Sequence, residues 1–207
     1  MCFSITFDKT FLLEKINKFM SILQPMFYIL DLLIGFSAPI LAYMLYRTKK
    51  IPKFSWYVFW LGAAIGLTWE TMMFIGSYET TFFVTLTTIR PYPGHYLIFM
   101  VSHTLWDGGL FLIGYCLVQL FCKSPQFDEF NVKELVILII FGQIQEIIVE
   151  VGAVSNDAWT FIAYTWNPAL FFFNGYPITL YPQICWLYGI LVFYYFILKL
   201  KPKFDEK

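Results

Sequence analysis

The sequence predicts an all-α fold, a polytopic membrane helix bundle of about five transmembrane helices, and three observations lead there. The 207 residues are 59% hydrophobic and 22% aromatic, with 14% charged and a mean hydropathy of +0.65. That lies outside the range of soluble globular domains. Five apolar stretches reach or exceed the roughly 20 residues that a helix needs to cross a bilayer. The basic residues, finally, gather at every second connection between those stretches. At this length little chain remains for a separate soluble domain. A net charge of zero and the lack of a long basic run exclude the pattern that nucleic-acid binding requires.

In chain order, residues 1–25 read as an amphipathic surface segment with Phe11, Leu12, Ile16, Phe19 and Leu23 on one face. Asp8, Lys9, Glu14, Lys15 and Lys18 interrupt it, unlike the apolar core of a cleaved signal peptide. The spans follow at about 26–46, 55–78, 96–121, 132–154 and 181–200 within a single bundle, with 201–207 as a tail. Pro25 bounds the first span, and Arg47, Lys49, Lys50 and Lys53 close it. The stretch 158–176 is apolar but broken by Asn167-Pro168 and closed by Asn174-Gly175-Tyr176-Pro177, so it reads as re-entrant or interfacial. With five spans all the basic clusters beyond residue 46 share one side. The positive-inside rule then puts the N-terminus outside and the C-terminus in the cytoplasm. A sixth crossing would place the C-terminal lysines on the wrong side. Cys2, Cys116, Cys122 and Cys185 include no C-x-x-C pair and read as packing residues.

Charged groups inside such spans are expensive, roughly 2.5–3.5 kcal/mol for a carboxylate at the bilayer centre, and they mark functional sites. The run from Gln143 to Glu150 drops two amides and two carboxylates into the fourth span. From a rise of about 1.5 Å per residue, Glu70, Asp107 and Glu146 come out roughly 3–5 Å to the outer side of the membrane centre. Three acids on three helices therefore share one level. Asp31, His103 and Glu150 form a second tier roughly 7–11 Å outward. His103 and Asp107, like Glu146 and Glu150, are four residues apart and leave one helix face together. Crowded carboxylates at low dielectric cannot all be ionised, and an acid beside a carboxylate is what proton donation and abstraction need. His103 is placed to relay protons, and Trp69 and Trp106 offer ring faces to a cation. One intramembrane histidine and no recognised ligand spacing argue against a metal, and no G-x-S-x-G motif points to serine hydrolysis.

An acidic second helix, Leu105-Trp106 in the third and Gly142-Gln143-Ile144 followed by an acid in the fourth resemble the EXPERA superfamily. That group comprises the emopamil-binding proteins, with the sterol Δ8-Δ7 isomerase and the sigma-2 receptor. The likeness runs over about residues 31–200. Gln143 matches the family pattern, whereas Trp69 stands where the family places a His. Trp69-Glu70 and Leu105-Trp106-Asp107 are also similar to the membrane-bound terpene cyclases of meroterpenoid pathways, in which the Glu starts a cation cascade. Both resemblances imply protonation of an olefin or epoxide in a greasy pocket, and the first implies the endoplasmic reticulum membrane in a eukaryote.

The expected function is thus an intramembrane acid-base isomerase or cyclase of a sterol or isoprenoid lipid, working without cofactor. Glu70, Asp107, Glu146, His103 and Glu150 are its expected catalytic set, and Trp69, Trp106, Gln143 and Asp31 its substrate contacts. The alternatives are a non-catalytic sterol- or lipid-binding membrane protein and a proton-coupled transporter. Expected partners are the hydrophobic ligand and membrane lipid, with homodimerisation left open and nucleic acid excluded.

Overall fold

The computed structural model describes residues 9–78 and 85–205, with side chains over 26–78 and 85–204. The apolar face expected on residues 1–25 lies outside the described side chains. Five helices make up the body: α1 (Lys9–Arg47), α2 (Lys53–Tyr78), α3 (Tyr96–Phe121), α4 (Val132–Ser155) and α5 (Leu180–Asp205). Each contains a span long and apolar enough to cross a membrane. Their composition explains this, since leucine, isoleucine and phenylalanine run round every face rather than along one stripe. Leu33, Ile40, Ile140 and Ile148 are exposed on the outside of the bundle, where a water-soluble protein would carry polar groups.

Two boundaries differ from the sequence reading, of which one is the end of α5, helical through Pro202 to Asp205 where a tail from 201 was expected. Helix α1 continues through Pro25, so the N-terminal segment and the first span form one rod. Proline deletes a single backbone donor, and the turns on either side keep the rod continuous. At the other boundaries local chemistry acts as expected. Asn131 caps α4 by accepting the Lys133 amide at 2.9 Å, and the His95 ring accepts the Leu97 amide at 3.3 Å to start α3.

Helices α2, α3, α4 and α5 pack as a ring, each against the next, and α1 lies outside it against α3 and α2. Small residues set the closest approaches, as they do between membrane helices. At Gly35 a Cβ atom would run into Ser102 of α3, and at Gly108 it would stand 2.8 Å from the Phe59 carbonyl oxygen of α2. Gly108 therefore serves helix packing.

The stretch after α4 holds no helix. Residues 159–179 instead supply three of four short strands: β1 (Leu86–Thr88), β2 (Trp159–Phe161), β3 (Ala169–Phe173) and β4 (Tyr176–Thr179). Strands β1 and β2 pair antiparallel, with Leu86 opposite Phe161 and Thr88 opposite Trp159. Strands β3 and β4 form a hairpin around Asn174-Gly175, both with positive φ, which is the turn chemistry that such a pair favours. Both ladders sit at the end of the bundle reached by the C-termini of α2 and α4. The Tyr28 hydroxyl joins α1 to this cap, lying 2.7 Å from the Ala158 carbonyl oxygen and 2.9 Å from that of Arg90.

The opposite end is closed by a different set of bonds. Buried Glu134 accepts the Phe127 amide at 3.1 Å and the Tyr194 hydroxyl at 3.1 Å, and Tyr194 also meets both the amide and the carbonyl of Asn131. Lys201 bonds Asp128 at 2.8 Å across the same end. Fully buried and bonded on all sides, Glu134 is a structural carboxylate of the kind that ties a helix start to its neighbours.

Candidate active site

Beneath the β1–β2 cap the four ring helices and α1 enclose a cavity of about 360 Å³. That volume falls in the range of roughly 300–1,000 Å³ found for small-molecule sites. Its polar groups are few and convergent: Asp31 from α1, Glu70 from α2, His103 and Asp107 from α3, and Gln145 and Glu146 from α4. The rest of the wall is apolar or aromatic. Trp69, Trp106 and Trp186 stand beside the acids, and Leu86 and Trp159 look down from the strand cap.

Each carboxylate arrives by a simple route. The second half of α2, the first half of α3 and the second half of α4 all lie toward the cap, whose strands belong to the connections that follow α2 and α4. Glu70, Asp107 and Glu146 line one cavity, 7%, 5% and 6% exposed. Asp107 packs directly on Gly66, where a Cβ atom would overlap its carboxylate. The indoles of Trp69 and Trp186 line the same cavity as Asp107 and Glu146. Asp107 Oδ2 and Gln145 Oε1 are buried without a hydrogen-bond partner among the described residues.

His103 is the centre of the second tier. Its Nε2 lies 2.9 Å from Asp31 Oδ2, and its Nδ1 lies 3.6 Å from Glu70 Oε2. One imidazole thus stands between acids on two other helices, with one ring nitrogen toward each. The bridge is held by its own helix seam, where the Trp106 indole and the Ser102 hydroxyl both donate to the Asp31 carbonyl oxygen, at 3.0 and 3.3 Å. The His103 ring also stands edge-on to Phe74, 5.4 Å between centroids, which restricts its rotation.

Two of the sequence candidates sit apart from the cavity wall. Glu150 Oε2 accepts the Thr179 amide at 3.1 Å, where β4 leads into α5. Gln143 donates to the Gln183 carbonyl oxygen at 3.1 Å, pinning α4 to α5. Glu146 and Glu150 share a face, but one helical turn carries Glu150 up to the strand cap. Gln145, Trp159 and Trp186 line the cavity without having been singled out in the sequence. Gln145 stands next to Glu146 in the run that drew attention, whereas the two tryptophans gave no signal beyond their abundance.

Below the carboxylates the bundle is shut by rings. Phe111 stacks on Trp186 and Phe193, with centroids 5.1 and 4.6 Å apart, and further down Tyr115 stacks on Phe127 at 5.0 Å. Sideways the wall is thinner. Leu30 and Ile34 of α1 and Ile148 and Val149 of α4 line the cavity while remaining exposed outside. Both helices pack on α3 without an extensive contact to each other, which leaves a lateral mouth between them.

No group of three His, Cys, Asp or Glu residues has the arrangement to hold a metal ion among the described residues. The arrangement offers several acids, an imidazole between two of them and aromatic faces in a largely apolar pocket. A scan against protein-family models and searches of the curated proteins and of the solved structures gave no match to this chain.

Proposed function

We propose that the protein is an intramembrane acid-base isomerase or cyclase of a sterol or isoprenoid lipid, acting through a carbocation-like intermediate. The observation that carries this reading is His103 set between Asp31 and Glu70 at the wall of an apolar cavity that opens sideways. In this scheme the Glu70 carboxylic acid gives its proton to an olefin carbon of the lipid, leaving a cation on the neighbouring carbon. Trp69, Trp106 and Trp186 present ring faces to that charge. Asp107 or Glu146, as carboxylate, then takes a proton from an adjacent carbon, and the double bond re-forms in a new place. Asp107 or Glu146 gives up that proton to solvent while His103 returns one to Glu70 and is recharged through Asp31, so gain and loss cancel and the protein ends as it began. Asp31 acts here as a positioning residue, and Gln143 and Glu150 hold α5 in place.

The resemblance to the EXPERA superfamily and to the meroterpenoid cyclases supports the same chemistry. So does the lateral mouth, since a substrate dissolved in the bilayer reaches the acids without crossing water. The reading places the basic end of the bundle in the cytoplasm and the strand cap and N-terminus outside, in the endoplasmic reticulum membrane of a eukaryote. The aromatic floor under Asp107 disfavours a transporter, which needs access from both ends.

A second reading, a non-catalytic lipid-binding protein, draws on Asp107 Oδ2 and Gln145 Oε1, unpaired acceptors suited to a ligand hydroxyl. One experiment separates the two. Purified protein in nanodiscs is incubated with sterols and isoprenoid alcohols in deuterated water, and recovered lipid is weighed by mass spectrometry. Carbon-bound deuterium supports the enzyme, and a lipid retained without label supports the binding protein.

A further inference from the structure

A second apolar depression of about 360 Å³ lies outside the bundle, in the groove between α3 and α4. Leu117 and Phe121 form one side of it, and Ile137, Ile140, Ile144 and Ile148 the other. Gln145 and Ile148 belong to the walls of both spaces, so the groove begins where the lateral mouth of the cavity ends. On α3 the same continuity shows in spacing: Trp106, Leu110, Leu117 and Phe121 follow one another at steps of four, seven and four along one helix face. The groove extends about 16 Å along α4 from Ile148 to Ile137, at about 1.5 Å per residue.

We propose that this groove holds the hydrocarbon tail of the same lipid whose reacting end lies among the carboxylates. The substrate is then a linear isoprenoid, not a fused-ring sterol. This inference rests on the proposed function for the reacting end, but it concerns a different part of the molecule. The path leaves the bundle interior at Gln145 and turns down the outer face of α3 and α4. A chain makes that turn by rotation about single bonds, whereas a rigid ring system spans the cavity or the groove but not the bend. About a dozen carbons in an extended chain, with C–C bonds of about 1.5 Å, cover the length of the groove. Apart from Gln145 at the junction, the groove walls carry no polar side chain, which suits hydrocarbon alone.

The test uses the full chain in nanodiscs and a 20-carbon isoprenoid alcohol with a diazirine at the end remote from the hydroxyl. After illumination, labelled peptides are mapped by mass spectrometry. The expected result is saturable labelling at 117–121 and 137–144, displaced by the unlabelled alcohol. Ile144→Trp and Ile140→Trp, both on the lipid-facing surface, each reduce that labelling at least tenfold, and Leu191→Trp on α5 leaves it unchanged. Non-saturable labelling, as bulk bilayer lipid gives, overturns the proposal. So does labelling confined to the cavity, labelling indifferent to both groove variants, or equal displacement by cholesterol. The deuterium experiment keeps the two readings apart. A filled groove with no deuterium in the lipid leaves the tail site standing and removes the chemistry, and deuterium in a sterol with an unlabelled groove does the reverse.

Discussion

His103 Nε2 stands 2.9 Å from Asp31 Oδ2, so an acid on the outermost helix fixes the imidazole that faces Glu70 across the cavity wall. The contact sets which ring nitrogen faces Asp31 and which faces Glu70. Asp31→Asn keeps the shape and removes the carboxylate. Turnover is expected to fall about 10²-fold, within the range that positioned acid-base groups contribute. Binding of the same lipid, measured by native mass spectrometry, should persist.

Gly66 and Gly152 make opposite predictions from one substitution. At Gly66 a methyl group would overlap the Asp107 carboxylate, while at Gly152 there is open space. Gly66→Ala should lower stability by about 1–3 kcal/mol, the usual range for overpacking. Gly152→Ala should raise it by about 0.5–1 kcal/mol, because alanine is the better helix former. Thermal unfolding in detergent checks both signs.

An expected depth of the acids could be worked out in the sequence because it needs only span boundaries and the helical rise. Glu70, Asp107 and Glu146 could be put on one level in that way, and the structure brings all three to one cavity. Rotation about each helix axis and the order of helices in the bundle were not legible, since apolar side chains occupy every face. Hence Glu150 was grouped with Glu146 although its partner is the Thr179 amide, and Trp186 and Trp159 went unremarked. The Asn174-Gly175 turn was visible as punctuation, but the β1–β2 pairing joins residues some 70 positions apart and leaves no local pattern. Glu134 was not singled out in the sequence, and only the packing of Tyr194 over it makes it a buried group.

That contrast between two kinds of buried carboxylate is testable. Tyr194→Phe removes a hydroxyl bonded to Glu134 and Asn131 at the end remote from the cavity. It should cost about 1–3 kcal/mol of stability, the penalty for leaving buried polar groups short of a partner. Turnover per folded molecule should be unchanged. A Tyr194→Phe protein that is stable yet inactive would mean the two ends are coupled.

The proposed orientation rests on Arg47, Lys49, Lys50, Lys53, Lys123, Lys133, Lys199, Lys201 and Lys203, which the five-span reading puts on one side. In sealed cells expressing a chain freed of its native cysteines, a membrane-impermeant maleimide or its lumenal equivalent should mark Pro93→Cys from the outer side. Lys203→Cys should react only from the cytoplasmic side.

The central claim is that Glu70 delivers a proton to carbon. The most direct measurement is single-turnover deuterium incorporation into bound lipid, comparing the native chain with Glu70→Gln at equal lipid occupancy. The account predicts label in the native sample and a loss of about 10²–10⁴-fold in its rate for Glu70→Gln, with the helical fold and lipid binding retained. Equal incorporation by the two proteins, or none by the native chain while lipid is bound, would contradict it.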